Sequence, residues 1–187
     1  MTIKRSHVTG LALSASALVG LVVHEGYTDK AVIPVTGDRP TVGFGSTFKE
    51  DGTPVKMGET ITPQKAIARS LAHIQKDEGK LKKCVTAPLS QIEYDTLINF
   101  SYQYGADATC RSSIVKFANA GNYIASCEAY KEYRFVKAAT GERIGNGIVL
   151  GKDGVLRYDC STPGNRRCIG VWNRSKERYN TCISAQE

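Results

Sequence analysis

The stretch from Glu25 to Thr47, EGYTDKAVIPVTGDRPTVGFGST, restricts the fold more than any other part of the chain. It opens with a carboxylate at the end of an apolar run and passes through a Tyr/Val/Ile segment broken by Pro34 and Pro40. It closes on Thr41, Val42, Gly43, Phe44 and Gly45. Proline lacks a backbone donor and glycine admits backbone angles that other residues avoid, so a stretch this rich in both does not continue a helix. With β-branched and aromatic residues between the breaks, the pattern predicts short antiparallel strands between Tyr27 and Phe48. The apolar residues before it read as a helix. Glu25 is therefore expected at a helix end, delivered into a cleft walled by a small β-hairpin.

Downstream the pattern is mostly helical. Asp51-Gly52 suits a tight turn. Thr62-Pro63 supplies a cap followed by proline at the first helical position, and the helix is expected to run to about Lys83. Its basic end, Lys80, Lys82 and Lys83, complements the negative helix terminus. Ser90-Gln-Ile-Glu93 is a capping box, opening a helix whose Tyr94, Leu97, Ile98 and Ser101 share one face. This is the candidate central core helix, and Gly105 is expected to stop it. Tyr102 and Tyr104 suit either a sugar-stacking wall or the core. A short helix is expected from about Ser113, ending at Asn119-Ala120-Gly121, and another from about Asn122 to Phe135 that turns Cys127 and Tyr130 inward. A last helix, Val171 to Ile183, places Arg174 and Arg178 one turn apart with Glu177 beside them, the spacing of structural ion pairing.

Three stretches, taken together and in this order, resemble phage endolysins of the T4-lysozyme type, glycoside hydrolase family 24. They are the helix-end Glu25-Gly26 with TVGFG, then LSQIEYDTLINFSYQYGADATCRSSIVKFANAGN, then IGVWNRSKER. The likeness covers most of the chain from about Leu18. It implies an α+β, lysozyme-like fold, mainly helical with a small β-hairpin lobe beside the active-site cleft, and a catalytic domain over residues 18–187. The implied activity is a muramidase that hydrolyses the β-1,4 bond between N-acetylmuramic acid and N-acetylglucosamine in peptidoglycan and so lyses the host cell. Residues 136–168 depart from the family pattern. There Gly145, Gly147, Gly151 and Gly154 separate apolar pairs, which suggests an inserted hairpin closed by Cys160 and Cys168. Such an insertion either widens the substrate contact or decorates the surface.

Glycoside hydrolysis needs a proton for the leaving oxygen and, across the sugar, a carboxylate that activates water or attacks carbon. Glu25 suits the acid role, because an apolar helix end disfavours a charged side chain. The partner carboxylate is where this sequence leaves the family. Counting forward from Glu25 by the family spacing reaches Pro34, and counting back from Thr41 reaches Val35, neither of which can do the chemistry. Asp38, three residues before Thr41, is the nearest acid on the hairpin side and the candidate partner; Thr-Gly-Asp is also ordinary turn composition. Asp29, on the glutamate side, suits a turn cap. Thr41 matches the family's threonine, whose hydroxyl holds the attacking water. Two other functions stay open. A lytic transglycosylase of the same fold needs only one catalytic acid, and a non-catalytic wall-binding protein would use the basic surface and the apolar segment.

Lys4 and Arg5 precede an uncharged apolar run from Val8 to Val23, the order of an export or membrane-insertion signal. As a helix the run would be about 24 Å long, short of the roughly 30 Å hydrocarbon core, and Thr9, Gly10, Ser14, Ser16 and Gly20 make it weakly apolar. It fits a cleaved signal peptide with Ala15-Ser16-Ala17 as the small-residue site, a buried core helix, or the signal-anchor-release (SAR) segment known among endolysins. ALVGLVVHEG also resembles the first helix of the lysozyme domain, so residues 1–24 are expected to serve as a releasable anchor that overlaps it. The enzyme would then sit tethered at the periplasmic face of the host inner membrane before entering the periplasm.

Composition supports that setting. The net charge of +7 over 187 residues favours an anionic partner such as peptidoglycan carrying acidic polymers. No nucleic-acid motif, zinc-finger spacing, metal cluster or phosphate loop is visible, so the expectation is a monomer with no nucleic-acid partner and no cofactor. Six cysteines, none in a C-x-x-C pair, point to disulfides in an oxidising compartment. Proximity along the chain suggests Cys110 with Cys127, Cys160 with Cys168, and Cys84 with Cys182.

Overall fold

The computed structural model describes residues 3–34 and 38–187. They form two compact units, residues 6–110 and residues 111–187 together with the N-terminal strip that ends at Arg5. The architecture is α+β and mainly helical.

In the first unit the apolar N-terminal run is not one helix. Val8–Gly10 makes a single 3₁₀ turn, residues 11–14 belong to no helix, with Leu11 and Ser14 extended, and α1 covers only Ala15–Glu25. Non-local partners set this division. Ser14 caps α1 by accepting from Ala17 N (3.2 Å), and Asp95 holds Ser14 in turn, accepting from its N–H (3.0 Å) and its hydroxyl (2.6 Å). The buried Glu78 accepts from Leu13 N (2.9 Å) and from the Tyr94 hydroxyl (2.8 Å). Gln91 Nε2 donates to Ala12 O (2.8 Å), and Ser6 exchanges backbone bonds with Leu89. Among the described residues no helix is long and apolar enough to cross a membrane.

Beyond α1, β1 (Thr28–Val32) pairs antiparallel with β2 (Thr41–Gly43) through an irregular register. The hairpin has a small core of its own, Ala31, Val42, Val55, Ile61 and Ala66, with Phe44 packed against it. Buried aliphatic side chains such as Val42, Val55 and Ile61 contribute about 1.5–3 kcal/mol each, enough to hold two short strands against the start of α2 (Pro63–Cys84). The polar loop after β2 is pinned by a two-pronged ion pair from Arg69 on α2, Nε to Glu50 Oε1 at 2.9 Å and Nη2 to Glu50 Oε2 at 3.0 Å. Helix α2 starts as expected at the Thr62 cap and Pro63.

Helix α3 (Gln91–Tyr104) opens on the complete Ser90/Glu93 capping box and ends at Gly105. Tyr94, Leu97, Ile98 and Ser101 are all buried, so it is a core helix as the periodicity predicts. A further short helix, α4 (Ala106–Cys110), follows it directly, and Cys84 at the end of α2 is bonded to Cys110 at the end of α4.

The second unit contains α5 (Ser113–Asn119), α6 (Tyr123–Ala129) and α7 (Ile169–Ser184). Helix α6 stops earlier than the expected end at Phe135: a 3₁₀ turn, Tyr130–Glu132, follows it, and Phe135 already begins a strand. Cys127 and Tyr130 do face inward. The departure at 136–168 is a three-stranded antiparallel sheet rather than a hairpin. Strand β5 (Leu156–Asp159) lies between β3 (Phe135–Lys137) and β4 (Ile148–Leu150), because a third run reaches back to pair with its other edge.

The disulfides correct two of the three expected pairs. Cys84–Cys110, Cys127–Cys182 and Cys160–Cys168 are the bonds formed. Cys110 and Cys127 are neighbours in sequence but lie in different units. Cys127 lies on α6, which packs against α7, and the contact of these helices brings it to Cys182.

Candidate active site

Glu25 is the last residue of α1 and is exposed. The apolar run led to an expectation of a carboxylate sunk among hydrophobic neighbours. Only Leu21 of α1 is buried, however, while Val19 and Val23 are exposed, so the end of the helix reaches solvent. That exposure leaves the carboxyl open to a bound glycan.

The wall facing it is the loop after Val42. Val42 and Ser46 exchange both backbone hydrogen bonds at 3.1 Å, leaving Gly43-Phe44-Gly45 as a three-residue apex. The glycine-spaced stretch expected to be strand throughout therefore ends its strand at Gly43 and turns. Both apex glycines have left-handed backbone angles, φ +68° at Gly43 and +74° at Gly45, which L side chains adopt only with strain. Space is short as well. A side-chain carbon built at Gly43 would fall 2.8 Å from Ala66 Cβ, and one at Gly45 would fall 3.0 Å from Glu25 Oε2. Gly45 thus faces the Glu25 carboxylate; a side chain there would be strained by the backbone angle and would push the carboxylate aside by a few tenths of an ångström.

Aromatic side chains set the height of this loop. The Tyr27 hydroxyl donates to Ile61 O at 2.6 Å, and its ring lies 5.5 Å from that of Phe44. Tyr102 of α3 donates to Phe44 O at 2.7 Å, and burial pushes its phenol above the ordinary range. Tyr104 instead packs on Phe100, ring centroids 4.6 Å apart. Sequence periodicity did not single out the Tyr102 contact, because its partner is a backbone carbonyl far along the chain.

The other two candidates precede the loop in the chain. Thr41 opens β2, and its hydroxyl donates to Val32 O at 3.4 Å across the hairpin. Asp38 is exposed. Val35, the position reached by counting back from Thr41, and Gly37 lie outside the described residues. Among the described residues no group of three or more His, Cys, Asp or Glu side chains is placed to hold a metal ion.

With this geometry in hand, the phage lysozyme family model matches residues 22–150, a span that runs from Val22 through Glu25, the glycine apex and α3. The chain belongs to the phage lysozyme family. It is accordingly a lysozyme-type hydrolase that acts on peptidoglycan. A similar protein is the endolysin of Salmonella phage P22, 32% identical over 120 residues that cover 64% of this chain and 82% of that one. Another is the SAR-endolysin of Pseudomonas phage phiKMV, 27% identical over 163 residues, 87% of this chain and 96% of its own. Among solved structures, the endolysin from Escherichia coli O157:H7 phage FAHEc1 shares the fold with a TM-score of 0.71 and 26% identity, covering 97% of this chain and 98% of that one. The family match ends at residue 150, within the sheet of the second unit.

Proposed function

We propose that this family member is an endolysin muramidase, hydrolysing the β-1,4 bond between N-acetylmuramic acid and N-acetylglucosamine. Glu25 acts as general acid, Asp38 as the carboxylate that activates water or attacks carbon, and Thr41 orients the water. The observation that carries this reading is the exposed Glu25 carboxylate set against the side-chain-free face of Gly45. An acid in that position is accessible to a glycosidic oxygen and backed by a wall that cannot crowd the sugar. A lytic transglycosylase is the second reading, favoured by the absence of an acid at the family spacing. Mass spectrometry of products from purified peptidoglycan separates the two: reducing muramic acid ends for hydrolysis, 1,6-anhydro ends for transglycosylation. Asp38→Asn is expected to lower the hydrolytic rate by about a hundredfold or more. An unchanged rate would remove Asp38 from the mechanism.

We further propose that residues 1–24 first tether the enzyme in the inner membrane, with Lys4 and Arg5 ahead of the uncharged run, and that the enzyme is then released into the periplasm. What supports this is the overlap of that run with α1, whose last residue is Glu25. While Val8 to Val23 lies in a bilayer, Leu13 and Ser14 cannot reach Glu78 and Asp95, and Glu25 cannot take its place against Gly45. Protein held in membrane vesicles should therefore cleave externally added peptidoglycan far more slowly than the released form. Equal specific activities would sink the tethering mechanism.

A further inference from the structure

We propose that Tyr102 is a positioning residue for Glu25, acting through the backbone of the glycine apex. The proposal rests on the hydrolytic role of Glu25 proposed above. The apex residues Gly43, Phe44 and Gly45 include two with no side chain, so packing alone fixes this loop poorly. Its base is closed by the Val42/Ser46 backbone pair, and the Phe44 ring lies on the hairpin core. The peptide between Phe44 and Gly45 leads into the residue that faces the acid, since a side-chain carbon built at Gly45 would fall 3.0 Å from Glu25 Oε2. The Tyr102 hydroxyl holds the carbonyl of that same peptide at 2.7 Å.

The hydroxyl is itself fixed. Ser70 Oγ on α2 lies 3.2 Å from Tyr102 Oη, and Ser70 is fully buried. A phenol has one proton, and here it goes to the Phe44 carbonyl. The serine must then donate, so the direction of the relay is set: Ser70 to Tyr102 to Phe44 O. This relay joins α2, α3 and the loop facing the acid, and all three elements belong to the unit of residues 6–110. Rigid helices thereby set the distance between the Gly45 backbone and the carboxyl of Glu25. Removing the phenolic oxygen frees the peptide to move relative to the carboxyl, and a misplacement of about 1 Å in a catalytic arrangement can cost on the order of a hundredfold in rate.

The test compares the parent with Glu25→Gln, Tyr102→Phe and Ser70→Ala on soluble, uncrosslinked peptidoglycan glycan strands, with kcat and KM measured separately and thermal midpoints recorded. Tyr102→Phe keeps the ring. It is expected to lower kcat by about ten- to a hundredfold with KM within about twofold, at a temperature well below its own midpoint. Ser70→Ala should lower kcat severalfold at unchanged KM, and should cost nothing more when added to Tyr102→Phe, because the relay is already broken. A role confined to folding would lower the midpoint and leave kcat of the folded protein unchanged, and that result overturns the proposal. Should Tyr102→Phe not fold, Ser70→Ala decides alone: a severalfold loss of kcat upholds the relay, and an unchanged kcat overturns it. A parent that cleaves no glycan removes the enzyme reading and the relay with it; a Glu25→Gln variant as active as an active parent removes Glu25 as the acid, and the relay with it. An active parent, an inactive Glu25→Gln and a fully active Tyr102→Phe remove the relay alone.

Discussion

Replacing Glu25 with glutamine is expected to reduce peptidoglycan cleavage by about a hundred- to ten-thousandfold, the range a positioned general acid supplies, while leaving the fold intact. Glutamine has the same shape but no proton of suitable acidity to give to the leaving oxygen. The retained fold follows from position. Glu25 is exposed at the C-terminal residue of α1, and substitutions at such sites change stability by no more than about 0.5 kcal/mol. A carboxylate is also disfavoured there, because the carbonyl end of a helix carries partial negative charge. The uncharged variant is therefore expected to melt at the parent temperature or slightly above it. The decisive readings are initial rate on purified peptidoglycan and thermal midpoint, taken on the same preparation. A variant retaining more than about a tenth of the parent rate would show that the acid lies elsewhere, and one that unfolds would make Glu25 structural.

The second large effect concerns the cysteines. Deleting Cys127–Cys182 by paired alanine substitution is expected to destabilise the second unit by about 4 kcal/mol, from the entropy of closing a loop of that size in the unfolded chain. The sequence separations are 55 for Cys127–Cys182, 26 for Cys84–Cys110 and 8 for Cys160–Cys168. The loop-closure relation puts the shorter two at about 3.5 and 2.5 kcal/mol, so the losses should rank in that order. Packing widens the gap. Cys127 and Cys182 are both buried between α6 and α7, so their removal also leaves apolar surface without contact. Denaturant titrations of the three paired variants, each under oxidising conditions, check the ranking. If the Cys160/Cys168 pair proved the most costly, loop closure would not be the controlling quantity. Of the three bonds, Cys127–Cys182 is the one on which the second unit should depend most.

Much of the fold was open to reading from local chemistry, because the interactions that decide it lie within a few residues of one another. The Thr62-Pro63 start of α2 and the Ser90/Glu93 box of α3 are local hydrogen bonds and fixed angles. The same is true of the stop at Gly105, and all three stand where spacing predicts. Glu25 at a helix end was legible for the same reason, whereas the glycine-spaced stretch expected as strand turns after Gly43. That Gly45 lies against Glu25 was not legible, since nothing in the residue order says which atom an unsubstituted α-carbon will meet.

What only tertiary structure decided is what depends on distant partners. Asp95 and Glu78, far along the chain, divide the apolar N-terminal run into a turn, a non-helical piece and an eleven-residue helix. Composition sees the run as one segment, because backbone N–H groups look alike until an acceptor is placed beside them. The disulfide partners depend on which helix faces meet, so proximity in sequence misassigned two pairs. Tyr102 was one tyrosine of an ambiguous pair until its hydroxyl was found on the Phe44 carbonyl. The amino-acid sequence by itself therefore determined the start of α2, both ends of α3 and the presence of a carboxylate at the end of the first helix. The tertiary structure determined which groups touch, because hydrogen bonds, disulfides and close packing act over a few ångströms in space and take no account of separation along the chain.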